Sequence, residues 1–242
     1  MSMSKKSWTG YYKKLFPLQD RVLEIINTLD VDFYLTGGTA LSRFHLNHRY
    51  SDDLDFVSHN DPYFGDYIEK ITVSLKENNF EVKPYGVSST FAALHLWDLK
   101  TEEKMTLKVD FINEKSVPHF GDFHCAKGFS KVDNIRNILS NKISIIFRQE
   151  PKDIADIWFI CKNLEFKWEE IIEEAGQKRL VEEIFVVECL RTFQFEKLST
   201  IKWIQPVNVE DFKSDSQIII ENIITKSENK LSRAKPKNNQ SP

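Results

Sequence analysis

Residues 53–56 alternate acidic and apolar side chains, in the order Asp53, Leu54, Asp55, Phe56. Successive side chains of a β-strand point to opposite faces, so a strand here places both carboxylates on one face. Aspartate is disfavoured in strands, and neighbouring carboxylates repel until one of them takes up a proton. A divalent cation removes that conflict, and oxygen ligands of this kind suit Mg²⁺ or Mn²⁺. The segment therefore predicts a metal-binding strand; the alternative is an exposed strand end with solvated acids.

A second run, residues 105–112, repeats this pattern. Leu107, Val109 and Phe111 fall on one face of a predicted strand, and Asp110 falls on the other face together with Lys108. A third carboxylate on a nearby strand would complete a two-metal site, in which ions about 3.5–4 Å apart hold the attacking and leaving oxygens. The sequence therefore predicts that Asp110 joins the acids of residues 53–56.

A glycine pair precedes these acids in the chain. Gly37 and Gly38, followed by Thr39, lie between a short apolar strand at 33–35 and a helix predicted over 40–47. Glycines permit a tight turn and a close backbone approach. The N-terminus of the following helix offers free N–H groups and a positive dipole end, which attract phosphate. The turn gains weight as a phosphate site because the next strand carries the paired acids.

The two halves of the chain differ in their pattern. The first half mixes short strands with helices, which predicts an α+β domain with a mixed sheet over residues 1–130. The stretch 116–130 contains one proline and two glycines and is predicted to be a connection. Helices are predicted over 133–147, 151–163, 168–174 and 178–192, with 216–224 ambiguous between helix and strand. They form a predicted helical domain over residues 131–226.

The last residues, 227–242, are predicted to be a basic, disordered tail. From Lys226 onward the chain contains five basic residues and one acidic residue, a net charge of +4. The whole chain has a net charge of −3. A solubilising end and a nucleic-acid contact are both open interpretations of the tail. The −7 that remains for the rest of the chain is a mild objection to an RNA ligand, because phosphate binding favours basic surfaces.

Composition narrows the class of protein. A chain of 242 residues with 41% hydrophobic residues can bury a real core. No uncharged run reaches the roughly 18 residues that a membrane span needs, and no apolar segment typical of a secretory signal follows the N-terminus. The three cysteines are widely spaced, which argues against a zinc cluster or a disulfide scaffold. We therefore expect a cytoplasmic protein with reduced thiols and no membrane partner.

Lys142 stands out within the predicted helix over 133–147. It falls at i+4 from Ile138 and i+3 from Leu139, on the apolar stripe of that helix. An inward-pointing lysine needs an anionic partner, because burying it unpaired is costly. A triphosphate or a nearby carboxylate could supply that partner; the alternative is a lysine whose stem lies along the surface and whose charge reaches water.

Two runs of the first half carry a resemblance to a known family. They are Gly37-Gly38-Thr39-Ala40-Leu41 and His48-Arg49-Tyr50-Ser51-Asp52-Asp53-Leu54-Asp55-Phe56. Together they resemble the signature of the polymerase-β-type nucleotidyltransferase superfamily, most closely its AbiEii/AbiGii toxin branch. The resemblance implies the fold of that superfamily, with a helical C-terminal domain that completes the cleft. It implies catalytic metal on Asp53, Asp55 and Asp110. It also implies nucleotide binding by five residues of the two runs: Gly37, Gly38, Thr39, Arg49 and Ser51.

The second half matches a further block of the toxin branch with Lys142, Arg148, Lys152-Asp153 and Asp156. By that resemblance Lys142 contacts the triphosphate, and Arg148 and Asp153 belong to the nucleotide site. Asp156 is implied as a catalytic residue together with Lys142. On the residues alone, Asp153 and Asp156 are ordinary charges at the start of a helix.

The function implied by the resemblance is a metal-dependent nucleotidyltransferase. It would move a nucleoside monophosphate from an NTP to an acceptor hydroxyl and release pyrophosphate, with Mg²⁺ or Mn²⁺ as cofactor. The toxin branch implies an RNA acceptor, such as the 3′ end of tRNA, and a cognate antitoxin in a phage-defence type of toxin–antitoxin pair. Two alternatives stay open: a nucleotidyltransferase acting on a small molecule such as an antibiotic, and a non-catalytic nucleotide-binding module.

Overall fold

The computed structural model describes residues 5–101 and 105–232. The chain forms two compact units. The first, the sheet unit, contains the chain up to residue 117 together with residues 121–134, and the second, the helical unit, contains residues 118–120 and the chain from residue 135 onward. The division falls after residue 134, against a predicted boundary at residue 130.

The sheet unit carries seven strands that form one mixed sheet in the order β3-β4-β5-β2-β1-β7-β6. The strands are β1 Tyr34–Thr36, β2 Leu54–His59, β3 Phe80–Val87, β4 Phe91–Asp98, β5 Thr106–Glu114, β6 His124–Ala126 and β7 Phe129–Val132. The central pair β2 and β5 is parallel, and β2 is antiparallel to β1 on its other side. The α+β mixed sheet predicted for the first half is confirmed.

Three helical segments accompany the sheet. They are α1 Lys5–Asn27, the short α2 Gly37–Ala40 that continues as a π-helix over Leu41–Leu46, and α3 Phe64–Glu77. Helices α1 and α3 contact the strands. The buried apolar side chains of β2, β4 and β5 and those of α1 and α3 form the core of this unit. One face of the central strands is therefore used for packing, and the opposite face carries their polar residues.

The helical unit contains five α-helices among the described residues. They are α4 Ile135–Ser144, α5 Pro151–Asn163, α6 Trp168–Lys178, α7 Glu183–Arg191 and α8 Val209–Ile224, with 3₁₀ turns at Ile146–Arg148 and Phe195–Thr200. Helix α5 has the predicted bounds, with Pro151 in its first turn, where a missing N–H costs nothing. The ambiguous stretch 216–224 is helical.

Three predictions of secondary structure are wrong. The connection predicted over 116–130 contains β6 and the first residues of β7, joined by a hairpin at Gly128, whose φ of +90° suits glycine. The predicted helix over 178–192 begins only at Glu183. Lys178 instead ends α6, where its ammonium donates to the side-chain oxygen of Asn141 at 2.6 Å. Helix α4 ends at Ser144 rather than at residue 147.

The tail predicted from residue 227 begins too early. Glu228 forms a backbone bridge with Lys167, and Asn229 and Leu231 are buried. The side-chain amide of Asn229 donates to the carbonyl oxygen of Cys161 at 2.6 Å, which ties this segment to α5. The rest of the predicted tail, residues 233–242, lies outside the described residues.

Candidate functional site

Strands β2 and β5 bring two of the predicted acids side by side. Asp55 and Asp110 are partners in the parallel register of these strands. Leu54 and Phe56 are fully buried, whereas Asp53 and Asp55 are half-buried. The alternation of residues 53–56 into a packing face and an acidic face is therefore confirmed, although Asp53 lies one residue before β2 begins.

The glycine turn lies directly against these acids. Gly37 follows β1 with a φ of +71°, and a Cβ atom added there would lie 2.6 Å from Oδ2 of Asp55. Both observations require glycine at this position. Helix α2 starts at Gly37 itself, earlier than the helix predicted from residue 40. The first N–H groups of a helical run therefore lie beside a carboxylate of β2.

Gly38 makes room for the side chain of Arg49. A Cβ atom at Gly38 would lie 2.6 Å from Nη2 of Arg49 and 3.0 Å from Oγ of Ser51. The guanidinium of Arg49 also donates through Nη1 to the carbonyl oxygen of Tyr50 at 3.0 Å, and Arg49 is 4% exposed. The structure thus places Gly38, Arg49 and Ser51 close together, and their role in nucleotide binding stays a prediction.

Thr39, which the resemblance implies as a nucleotide-binding residue, makes a contact within the protein. Its side chain is fully buried, and its hydroxyl donates a hydrogen bond to the backbone carbonyl oxygen of Asp53. The hydroxyl is therefore engaged in holding the loop that leads into β2. Any contact of Thr39 with a phosphate would have to use its backbone N–H.

Asp110 combines one paired oxygen with one unpaired oxygen. Its Oδ2 accepts from the ammonium of Lys108 on the same strand, while its buried Oδ1 has no hydrogen-bond partner among the described residues. The hydrogen bond with Asp110 raises the pKa of Lys108, and the charges of Asp53 and Asp55 act in the same direction against desolvation. Lys108 thus lies in the combined field of all three acids.

The side chains of Asp53, Asp55 and Asp110 are not arranged as a complete metal site among the described residues. Within residues 5–101 and 105–232, no group of three or more histidine, cysteine, aspartate or glutamate side chains is arranged so that it could hold a metal ion. The chemistry of the donors still fits a divalent cation, because Asp55 and Asp110 are neighbours and Oδ1 of Asp110 is a buried acceptor without a donor. The metal set Asp53, Asp55 and Asp110 stays a prediction.

Helix α1 holds the loop before β2 through contacts that the sequence did not indicate. The hydroxyl of Tyr12 donates to the carboxylate of Asp52, and the ring of Tyr12 stacks on that of Tyr50, with centroids 3.9 Å apart. The buried side chain of Gln19 donates to the carbonyl oxygens of Ser51 and Asp52, at 3.3 Å and 3.1 Å. No local pattern reveals these contacts, because the partners are more than 30 residues apart.

In the helical unit, Lys142 is buried between two carboxylates. Its ammonium lies 2.8 Å from Oδ1 of Asp153 and 2.7 Å from Oδ2 of Asp156, and its side chain is 8% exposed. The inward position predicted for Lys142 is confirmed, and of the two partners considered, a carboxylate is the one that the structure contains. Asp153 and Asp156 are themselves buried, so this ion network belongs to the interior of the helical unit.

The remaining candidates of the second block lie on the surface. Arg148 ends the 3₁₀ turn Ile146–Arg148 and is exposed, as is Lys152 in the first turn of α5. Arg148 is therefore reachable by an anionic ligand, and it is not part of the network around Lys142.

Comparison with known proteins gave matches to one family model and to solved structures. Residues 21–227 match the family described as nucleotidyl transferase AbiEii toxin, type IV TA system. A comparison with curated protein sequences gave no match. Among solved structures, JHP933 from Helicobacter pylori has a TM-score of 0.57 at 19% identity, with 96% of each chain covered. MenT4, a nucleotidyltransferase toxin from Mycobacterium tuberculosis, has a TM-score of 0.61 at 16% identity, with 90% of this chain and 85% of that chain covered.

Proposed function

Because the chain belongs to the AbiEii nucleotidyltransferase toxin family of type IV toxin–antitoxin systems, we propose that it transfers a nucleoside monophosphate from an NTP to RNA. The proposed acceptor is the hydroxyl at the 3′ end of a tRNA, and pyrophosphate is the second product. The observation that carries this proposal is the pairing of Asp55 with Asp110 beside the Gly37 turn. Carboxylates next to a phosphate-binding turn are what phosphoryl transfer to a hydroxyl needs.

The acids of the sheet unit are the proposed metal ligands. Asp55 and Asp110 would hold Mg²⁺ or Mn²⁺, and Asp53 would complete the set. A bound ion would neutralise charge on the triphosphate and lower the pKa of the acceptor hydroxyl. The unpaired Oδ1 of Asp110 supports this assignment, since a buried acceptor without a donor is costly unless a cation binds it.

The glycine turn and its neighbours are the proposed phosphate contacts. Backbone N–H groups at Gly37 and Gly38 begin the helical run and can donate to phosphate oxygens. Ser51 lies beside Gly38 and offers a hydroxyl to the same region. Arg49 packs against this turn, because its buried guanidinium fills the space that a side chain at Gly38 would occupy. Positioning and charge stabilisation would supply most of the rate.

In this proposal most residues of the second block, Lys142 to Asp156, do not contact the nucleotide. The buried pairing of Lys142 with Asp153 and Asp156 supports a role in holding the start of α5. The exposed guanidinium of Arg148 is the proposed phosphate contact of this block. A catalytic role of Lys142 and Asp156 would require their side chains to leave this network.

The biological setting follows from the family and the proposed substrates. We propose a cognate antitoxin as partner, a role in phage defence, and the cytoplasm as the location, since NTPs and tRNA are found there. No helix of the described residues has the length and hydropathy to cross a membrane.

A labelling assay tests the proposal. The purified protein is incubated with Mg²⁺ and each of the four α-labelled NTPs, in separate reactions with total RNA, purified tRNA and aminoglycosides. The expected result is label in the tRNA band for one NTP or a subset of them, and loss of label when EDTA is added. Label in the aminoglycoside alone would identify a small-molecule transferase. Label in no acceptor would favour a nucleotide-binding module.

A further inference from the structure

Four aromatic side chains on β3 and β4 form a surface that contains none of the residues proposed for metal or phosphate binding. We call this surface the stacking face; it consists of Tyr85, Phe91, His95 and Trp97. Tyr85 is 75% exposed and Phe91 is 39% exposed, while the other two are half-buried. Exposed aromatic rings on one sheet surface are costly in water, so they indicate a binding site.

A β-bulge sets the geometry of this face. The register of β3 with β4 shifts between Pro84 and Gly86, which leaves Tyr85 as the extra residue. Bulges re-aim a side chain, and here the ring of Tyr85 stacks on the ring of His95, with centroids 5.3 Å apart and an interplanar angle of 18°. His95 in turn meets Trp97 edge to face at 6.2 Å. The arrangement supports the Tyr85 ring on one side and leaves its other side to solvent.

The strand register connects the stacking face with the acids. His95 is opposite Lys108 on β5, and Lys83 is opposite His95 on β3, so the three lie in one row across the sheet. Lys108 shares its face of β5 with Asp110 and is bonded to it. Two strand spacings separate β3 from β5, about 10 Å, which about three stacked nucleotides at roughly 3.4 Å each would span.

We propose that the stacking face binds unpaired nucleotides of the acceptor RNA, with the bases on Tyr85 and His95 and a phosphate near Lys83. This inference rests on the proposed function, because it assigns the acceptor strand to the sheet surface beside the acids. Base stacking on aromatic side chains combined with nearby cations is the usual way in which proteins bind single strands. A protein partner is less suited to this face, since His95 and Trp97 share their rows with the charged residues Lys83 and Glu81. Phe91 is the ring with an aliphatic neighbour, Ile112, opposite it on β5.

The test measures binding without catalysis. A fluorescently labelled RNA octamer of unpaired nucleotides is titrated with the full chain, in the absence of NTP and divalent metal, and anisotropy gives Kd. The variants are Tyr85→Ala, Tyr85→Phe and Lys83→Ala. Tyr63→Ala serves as the matched control, because Tyr63 is also a largely exposed ring, at 60%, and it contacts Tyr67 outside the stacking face.

The expected result is that Tyr85→Ala weakens binding about 5- to 100-fold, the range that corresponds to one lost stacking contact. Tyr85→Phe should bind like the unmodified protein, and Lys83→Ala should reduce the dependence of Kd on salt. Equal binding by Tyr85→Ala and by the unmodified protein, or an equal loss in Tyr63→Ala, would overturn the inference. If Tyr85→Ala loses binding while no NTP labels any RNA, the stacking face stands and the proposed transfer falls.

Discussion

The acids of the sheet unit and the acids of the helical unit differ in how they are held. Asp55 and Asp110 are half-buried neighbours in the register of two strands, and one oxygen of Asp110 has no hydrogen-bond donor among the described residues. Asp153 and Asp156 are buried around the ammonium of Lys142 at 2.8 Å and 2.7 Å. Strand backbones fix the first pair of acids, and a buried cation fixes the second.

Because of this difference, we expect mutations to affect activity in one unit and stability in the other. Carboxylates fixed by backbone hydrogen bonds can remain reachable by a ligand, and removing one of them costs the fold little. Carboxylates that are buried around a cation are held by that cation. Removing one partner of the network therefore leaves uncompensated charge in the interior. We therefore expect loss of activity without loss of stability in the sheet unit, and loss of stability in the helical unit.

The largest effect is expected for Lys142→Met. This change removes the cation and leaves Asp153 and Asp156 buried side by side, so the free energy of unfolding should fall by about 3–5 kcal/mol. Urea unfolding followed by circular dichroism measures it. Lys152→Met, at an exposed position of the same unit, should change stability by no more than about 0.5 kcal/mol. Equal stability of the two variants would show that the network does not hold the helical unit together.

Asp55→Asn should have the opposite profile. Transfer of the labelled nucleotide should slow by about 100-fold or more, because a ligand of the proposed ion is lost. The free energy of unfolding should change by less than about 1 kcal/mol, since the amide fills the same space. Single-turnover labelling and urea unfolding are measured on the same preparations. Asp66→Asn, an exposed acid in the first turn of α3, is the control, and a similar loss of activity there would contradict the assignment of Asp55.

Gly37→Ala tests whether the turn beside Asp55 needs glycine. The positive φ and the close approach of Asp55 both oppose a side chain, so the free energy of unfolding should fall by about 1–3 kcal/mol. Thermal unfolding checks this prediction. Gly65→Ala is the matched substitution, because a Cβ atom there meets nothing within 4 Å. If Gly65→Ala proves the more damaging of the two, the proposed packing of the turn against β2 is wrong.

The smallest effect is expected for Asp98→Asn, which breaks a partly exposed ion pair with Arg21. Burial alone would raise the pKa of Asp98, but the hydrogen bonds from Arg21 and from the backbone N–H of Lys100, together with the charges of these two residues, outweigh it and lower the pKa. A lowered folded-state pKa means that the stabilisation is present above the unfolded value of about 3.9 and is lost as pH falls through the folded value.

The difference in unfolding free energy between the unmodified protein and Asp98→Asn should therefore be about 1 kcal/mol at pH 7. It should shrink as pH falls below the unfolded value of about 3.9. Urea unfolding at pH 7 and at a series of lower pH values measures it. A difference as large as that of Lys142→Met would erase the distinction between partly exposed and buried pairs.

Prediction from the sequence succeeded where the signal is local. Alternation of apolar and acidic residues identified both acidic strands, and Pro151 marked the start of α5. Prediction failed where a local pattern is compatible with two structures. Gly128 fits a connection equally well by its sequence, yet it forms the turn of a hairpin because β6 pairs with β7 in the folded sheet.

By itself, the sequence determined the acidic faces of β2 and β5, the glycine turn after β1 and the place of Lys142 on the apolar stripe of its helix. These follow from the fixed periods of strands and helices and from the cost of burying charge. Only the tertiary structure decided the neighbours of each group: Asp110 opposite Asp55, Asp153 and Asp156 around Lys142, and Tyr12 and Gln19 on the loop before β2. The periodicity of a strand or helix predicts the face on which a side chain lies. Its contact partner depends on which distant segment of the chain the fold places next to that face.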